Sequence, residues 1–210
     1  KTMKINKYES LMRLIDPKSK EVFSVFPFLQ TFKKIKSYEK MMTIMLSKTF
    51  KTYCHLDIEL SINLCYEDIS NESFRNFIYE KISSCSKPKN IIFEILESDF
   101  IEDFNIVKDF ATHVRTFGCK IAIDDFGYSS MENILKLNPE IIKIDGSLIK
   151  NIDISQESKT IVKNIVNMAK ELNAKTVAEY VHSKEVFDIV KSLDIDYLQG
   201  FYLAEPKAFS

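Results

Sequence analysis

Glycine is scarce in this chain, with 4 in 210 residues. No G-x-G-x-x-G or G-x-x-x-x-G-K-[ST] loop follows any apolar run, which weakens a dinucleotide-binding or P-loop reading. Nor is there an excess of either charge: 29 Lys and Arg stand against 30 Asp and Glu, a net of −1. Generic binders of nucleic acid or anionic membranes carry a basic excess. Neither partner is therefore expected, and any phosphate ligand must be met by local cations or metals. No apolar run reaches about 18 residues, so no transmembrane helix is expected. No signal-peptide core follows Lys1, which reads as the start of a domain cut from a longer protein. Cysteine is limited to Cys54, Cys65, Cys85 and Cys119. None forms a C-x-x-C pair and no His lies at zinc-finger spacing, so buried reduced thiols in a cytoplasmic protein are the expectation.

What remains is an ordinary globular balance, 45% hydrophobic and 28% charged, which excludes disordered and low-complexity classes. Short β-branched runs alternate with longer amphipathic stretches. The runs at Leu56–Leu64, Asn90–Ile95, Cys119–Ile123, Glu140–Ile144, Ala174–Ala178 and Ile195–Leu198 read as strands of a covered parallel sheet. Between them the spacing predicts helices over Phe32–Phe50, Glu72–Ile82, Asp103–Phe117, Ser158–Leu172 and Ser183–Leu193. Gly118 suits the position after the third of these, and Ser183 suits the cap of the last. No Gly/Ser/Pro-rich linker divides the chain. One α/β domain follows, either a β/α barrel or a doubly wound sheet.

The polar residues fall in a telling place. The runs end in Asn63, Glu94, Asp124-Asp125, Asp145, Glu179 and Gln199. In parallel α/β folds function gathers at the carboxyl ends of strands, and in barrels those ends share one mouth. Any single one of these residues could be a helix cap, but a succession of them points to a site. The set offers oxygen ligands and neither His nor Cys, which suits Mg²⁺, Mn²⁺ or Ca²⁺ rather than zinc. Asp124 and Asp125 cannot both be ionised in a crowded site without cations nearby. Paired divalent ions would satisfy them, an arrangement used for in-line attack on phosphodiesters. Lys143, on the pocket side of its strand, would orient water or meet phosphate, or else pair with Asp145 or Asp124.

Several ordered motifs then resemble one family. Tyr8-Glu9-Ser10-Leu11-Met12-Arg13 resembles Y-E-A-L-x-R, with Ser for Ala. Ser61-Ile62-Asn63-Leu64 resembles S-x-N-[LIV], and Glu94-Ile95-Leu96-Glu97 resembles E-[IL]-T-E. Ile121 to Ser130 resembles I-A-[IL]-D-D-F-G-T-G-Y-S-S, and Ile142-Lys143-Ile144-Asp145 resembles [LI]-K-I-D. Val177-Ala178-Glu179 and Leu198-Gln199-Gly200-Phe201 resemble V-A-E-G-V-E-T and x-Q-G-[YF]. Together they resemble the EAL domain, the cyclic di-GMP phosphodiesterase family, over nearly the whole chain.

The resemblance implies a TIM-like (β/α)8 barrel with the first strand antiparallel, spanning 1–210 as a single domain of a longer signalling protein. It implies hydrolysis of cyclic di-GMP to linear pGpG by two-metal-assisted in-line attack of water. Glu9, Asn63, Glu94 and Asp124 would hold one ion, and Asp125 and Glu179 the second, with Asp124 bridging. Mg²⁺ or Mn²⁺ would serve, and Ca²⁺ would inhibit. Lys143 and Gln199 would act at the water together with Glu9 and Glu179. Leu11, Arg13 and Asp145 would meet substrate, and Glu97 would brace the loop after Asp125. A homodimer and a GGDEF or sensory domain in the same chain are the implied partners. The implied location is bacterial cytoplasm, with any membrane tether outside this segment.

Two departures qualify the likeness. The stretch Asp124 to Ser130 lacks two residues of the family pattern, one of them Gly, which shortens the loop after Gly127. Tyr180 and His182 replace a Gly and a Glu after Glu179. A satisfied structural role is expected for His182, and His55 and His113 are expected off the pocket. The departures also support an alternative reading: an impaired domain serving as a cyclic di-GMP receptor or an interaction module.

Overall fold

The computed structural model describes residues 5, 7–101, 103–127 and 131–208. A first strand β1 (Lys7–Ser10) leads into a small hairpin, β2 (Arg13–Ile15) and β3 (Val22–Ser24), paired antiparallel. Helices α1 (Leu29–Lys34) and α2 (Tyr38–Tyr53) follow, then β4 (Glu59–Leu64), α3 (Tyr66–Ser70) and α4 (Glu72–Ser83). The remaining elements are β5 (Ile91–Leu96), α5 (Phe104–Thr116), β6 (Lys120–Phe126), α6 (Met131–Leu137) and β7 (Ile141–Ile144). Then come α7 (Gly146–Lys150), α8 (Gln156–Glu171), β8 (Lys175–Ala178), α9 (Lys184–Ser192) and β9 (Tyr197–Leu198).

Seven strands form one sheet in the order β1-β4-β5-β6-β7-β8-β9, and every neighbouring pair is parallel. The sheet curls into an open barrel with helices outside. Two expectations are corrected here. The first described strand is parallel, not antiparallel: the long hairpin-and-helix connection from Ser10 to Glu59 returns the chain to the end where β1 began. The sheet has seven strands among the described residues rather than eight, and no main-chain pairing joins β1 to β9 among them.

Alternation along each strand divides two cores. Leu60, Ile62, Phe93, Ile95, Ile121, Ile123, Ile142 and Ile144 point outward and are buried against the helices. Their partners include Phe74, Ile78, Phe110, Val114 and Val162 on one stripe of each helix. Each such side chain contributes about 1.5–3 kcal/mol by burial. A separate, smaller cluster of Ile92, Ala122, Ile141, Val177 and Tyr197 points into the lumen. These residues plug the lower barrel, so what stands above them on the same faces is lifted to the mouth.

The caps follow from sequence. Asn71, Asp103, Ser155 and Ser183 each accept a backbone N–H at the start of α4, α5, α8 and α9. Gly118 after α5 has φ +89°, the left-handed value a helix end favours in glycine. The predicted helix over Phe32–Phe50 is two helices, broken at 35–37, where Lys36 has φ +54°. The expectation of four reduced thiols is also corrected. Cys54, after α2, and Cys85, after α4, form a disulfide, while Cys65 and Cys119 are free. These two helices pack against each other, and the bridge joins the turns that follow them. No helix among the described residues is long and apolar enough to cross a membrane.

Candidate active site

Register sets the site. Glu9 on β1 lies opposite Ser61 on β4, and Asn63 lies opposite Glu94 on β5. Two residues beyond Ala122, Ile141, Val177 and Tyr197 on their lumen faces come Asp124, Lys143, Glu179 and Gln199. The strand-end residues read from the sequence therefore converge on one mouth.

Glu9 is held from both sides. Asn63 Nδ2 donates to Glu9 Oε1 at 2.7 Å, and Gln199 Nε2 donates to Glu9 Oε2 at 2.7 Å. Burial pushes the Glu9 carboxyl up, but Lys143 and these two amides outweigh it, and Glu9 lies below its ordinary value. It is therefore a carboxylate at neutral pH.

Lys143 occupies the centre. Its Nζ lies 2.7 Å from Glu94 Oε2, 2.9 Å from Asp124 Oδ1, 2.9 Å from Glu179 Oε1 and 4.0 Å from Glu9 Oε2. Both Lys143 and Glu94 side chains are 1% exposed. Burial presses the ammonium toward neutrality, yet the surrounding carboxylates prevail and hold Lys143 charged. Of the two pairings weighed for Lys143, Asp124 is formed and Asp145 is not. Glu94 and Glu179, its other contacts at 2.7 and 2.9 Å, lie on β5 and just after β8; the curl of the sheet brings them together.

Adjacent aspartates in a regular strand would face opposite ways. Here β6 carries a bulge. From Ile123 to Phe126 it advances three residues while β7 advances two, from Ile142 to Ile144. Asp125 takes the extra place with φ +54°, a left-handed conformation costing about 1 kcal/mol or more for a non-glycine residue. The bulge turns Asp125 toward its neighbour. Asp124, Asp125 and Glu179 each offer an oxygen, all within 4.8 Å of one another. Burial raises Asp125, with Asp124 and Asp145 adding to it. Burial also raises Glu179, to about 7, against the pull of Lys143. Three hard-oxygen donors this close, two of them raised, fit a divalent cation.

The other expected residues lie at the rim. Asp145 caps α7, its Oδ1 accepting from Ser147 N at 2.6 Å. Arg13, on the hairpin, donates to Met12 O at 2.9 Å, and Leu11 is exposed. Glu97 is buried just after β5, while the loop it was expected to brace, residues 128–130, lies outside the described residues together with the shortening after Gly127. Tyr180 has φ +55°, the conformation that a glycine there would take without strain. His182 shares a 2.9 Å hydrogen bond with Lys150 O, the structural role expected of it. Gly200 has no freedom: a Cβ would lie 2.2 Å from Val181 O, so glycine lets the chain turn directly after Gln199. Sequence reasoning passed over Lys7, which lies two residues before Glu9 on the same strand face.

A family model described as the EAL domain matches residues 1–206. The cyclic di-GMP phosphodiesterase PdeA of Borreliella burgdorferi is 32% identical over 215 aligned positions, covering 96% of this chain and 31% of that protein. The chain thus spans about a third of that relative. A solved PaMucR phosphodiesterase in complex with c-di-GMP superposes with TM-score 0.85 at 25% identity, over 94% of this chain and 83% of that one. The Xanthomonas citri FimX EAL domain, solved with c-diGMP, has the same fold, with TM-score 0.87 at 18% identity over 99% of this chain and 84% of that one.

Proposed function

The chain belongs to the EAL domain family, and on that premise we propose that it hydrolyses cyclic di-GMP to linear pGpG with two divalent ions. The observation that carries the reading is the convergence of Glu9, Asn63, Glu94, Asp124, Asp125 and Glu179 on one mouth around Lys143. Bound Mg²⁺ or Mn²⁺ would supply a more acidic water and neutralise the phosphate charge.

The chain's own groups divide the remaining work. Glu9, Asn63, Glu94 and Asp124 would hold one ion; Asp125 and Glu179 would hold the other and share Asp124. Gln199 and Asn63 fix both Glu9 oxygens, so its direction does not depend on a free rotamer. The Lys143 ammonium orients the attacking water, and Glu179 would act at it as a ligand of the second ion. Leu11 and Arg13 at the rim would meet base and phosphate, and Asp145 would meet substrate across α7. Ca²⁺ fits the same oxygens but orders water loosely, so it would bind without supporting turnover. We place the chain as one domain of a longer cytoplasmic signalling protein, beside a GGDEF or sensory domain, and as a homodimer.

A second reading, a cyclic di-GMP receptor, draws on the Lys143 ammonium, which already neutralises the carboxylates. Calorimetry with cyclic di-GMP, with Mn²⁺ and with EDTA, followed by chromatography, separates the two. The enzyme reading predicts metal-dependent pGpG. Binding in EDTA with no product under either condition favours the receptor and overturns the enzyme.

A further inference from the structure

Lys7 stands on β1 two residues before Glu9, so both side chains enter the lumen. Two other lysines that begin lumen-facing rows are matched by carboxylates: Lys120 pairs with Glu59, and Lys175 pairs with Asp196. Lys7 is not. Its Nζ is buried and has no hydrogen-bond partner among the described residues. It lies over the face of Tyr197 on β9, with 5.7 Å from Nζ to the ring centroid. Burial presses the Lys7 ammonium below its ordinary value; Glu94, Glu59 and Glu9 favour its charge, and the Lys143 ammonium opposes it. A charge with no contact partner in a low-dielectric lumen acts at range on the groups above it.

We infer that Lys7 is a positioning charge beneath the acidic ring, whose ammonium competes electrostatically with divalent cations and so sets how tightly the ring holds them. Lys143 sits among the carboxylates and shares their contacts. Lys7 cannot be displaced by an arriving ion and repels it from below. The inference rests on the reading of the ring as a divalent-ion site.

The test is Mn²⁺ titration by calorimetry, at low and at physiological salt, of the wild-type chain, Lys7→Met, Lys7→Gln and Lys7→Arg, each checked by circular dichroism. Removal of one charge from a screened, partly buried site should tighten Mn²⁺ binding about tenfold. Both neutral variants should show this, and Lys7→Arg should stay within about twofold of wild type because it keeps the charge. Equal affinity in wild type and the neutral variants overturns the inference and leaves the metal reading intact. Tightening in Lys7→Arg as well overturns it in favour of a packing effect. If neither neutral variant folds, the role is structural and the inference also falls. No Mn²⁺ binding by wild type would instead remove the metal reading on which it rests.

Discussion

Gln199 Nε2 donates to Glu9 Oε2 at 2.7 Å, a contact between residues 190 positions apart that ties the last strand to the first across the lumen. No main-chain pairing links those two strands among the described residues, so this amide holds the edges where Glu9 must be aimed. Replacing it leaves one Glu9 oxygen without its donor. Gln199→Ala should lower kcat about 10–100-fold, the usual cost of losing a group that orients a ligand. KM should change little, because Gln199 does not hold substrate. Steady-state kinetics with cyclic di-GMP checks this; a pure KM effect would place Gln199 on the substrate instead.

Lys143 is the counter-charge for Glu94, Asp124 and Glu179 in the metal-free protein. Removing one partner of a buried pair leaves the other charge uncompensated, at about 3–5 kcal/mol. Lys143→Met should therefore destabilise the metal-free chain by about that amount in urea unfolding. Saturating Mn²⁺ should recover part of the loss, since the ion supplies the missing positive charge. Unchanged stability in EDTA would show that the carboxylates are already neutral.

Away from the ring, Tyr66 N donates to Asp99 Oδ2 at 2.9 Å. Burial raises Asp99 from 3.8 to about 6, and nearby Glu67 adds to the shift. A raised carboxyl favours the folded state while it is protonated. That contribution is complete below pH 3.8 and is lost as the pH rises through about 6. Asp99→Asn keeps the acceptor and removes the titration. Melting curves from pH 3.5 to 7.5 should show a smaller fall in Tm with rising pH for the variant than for wild type. Parallel curves would place the dependence elsewhere.

Cys54 and Cys85 close a loop with a sequence separation of 31 between the ends of α2 and α4. Chain-entropy estimates give about 3–4 kcal/mol for such a crosslink. Dithiothreitol, or Cys54→Ser with Cys85→Ser, should lower Tm. Thiol titration under denaturing conditions should find Cys65 and Cys119 alone reactive before reduction. Four reactive thiols before reduction would contradict the bridge.

The parallel α/β class and the acidic mouth were legible because a period-2 pattern, read in register, places every second residue on one face. Asn63, Glu94, Asp124, Asp145, Glu179 and Gln199 each end an apolar run, Lys143 lies within one, and those runs became strands with their ends together. Three features were hidden for physical reasons. The bulge at Asp125 depends on pairing with β7, which no local signal at Asp124-Asp125 reveals. The direction of β1 is set by the long connection to β4, not by its four residues. The Cys54–Cys85 bridge depends on how α2 and α4 pack, and sequence spacing says nothing of that.

The most direct measurement of the central claim is mass spectrometry of cyclic di-GMP incubated with the chain and Mn²⁺ in ¹⁸O-water, beside EDTA and Glu9→Gln controls. Hydrolysis by water attack at phosphorus predicts pGpG with one ¹⁸O on its 5′-phosphate, formed by wild type with metal and by neither control. Intact cyclic di-GMP in every sample, or product that persists in EDTA or with Glu9→Gln, would contradict the account.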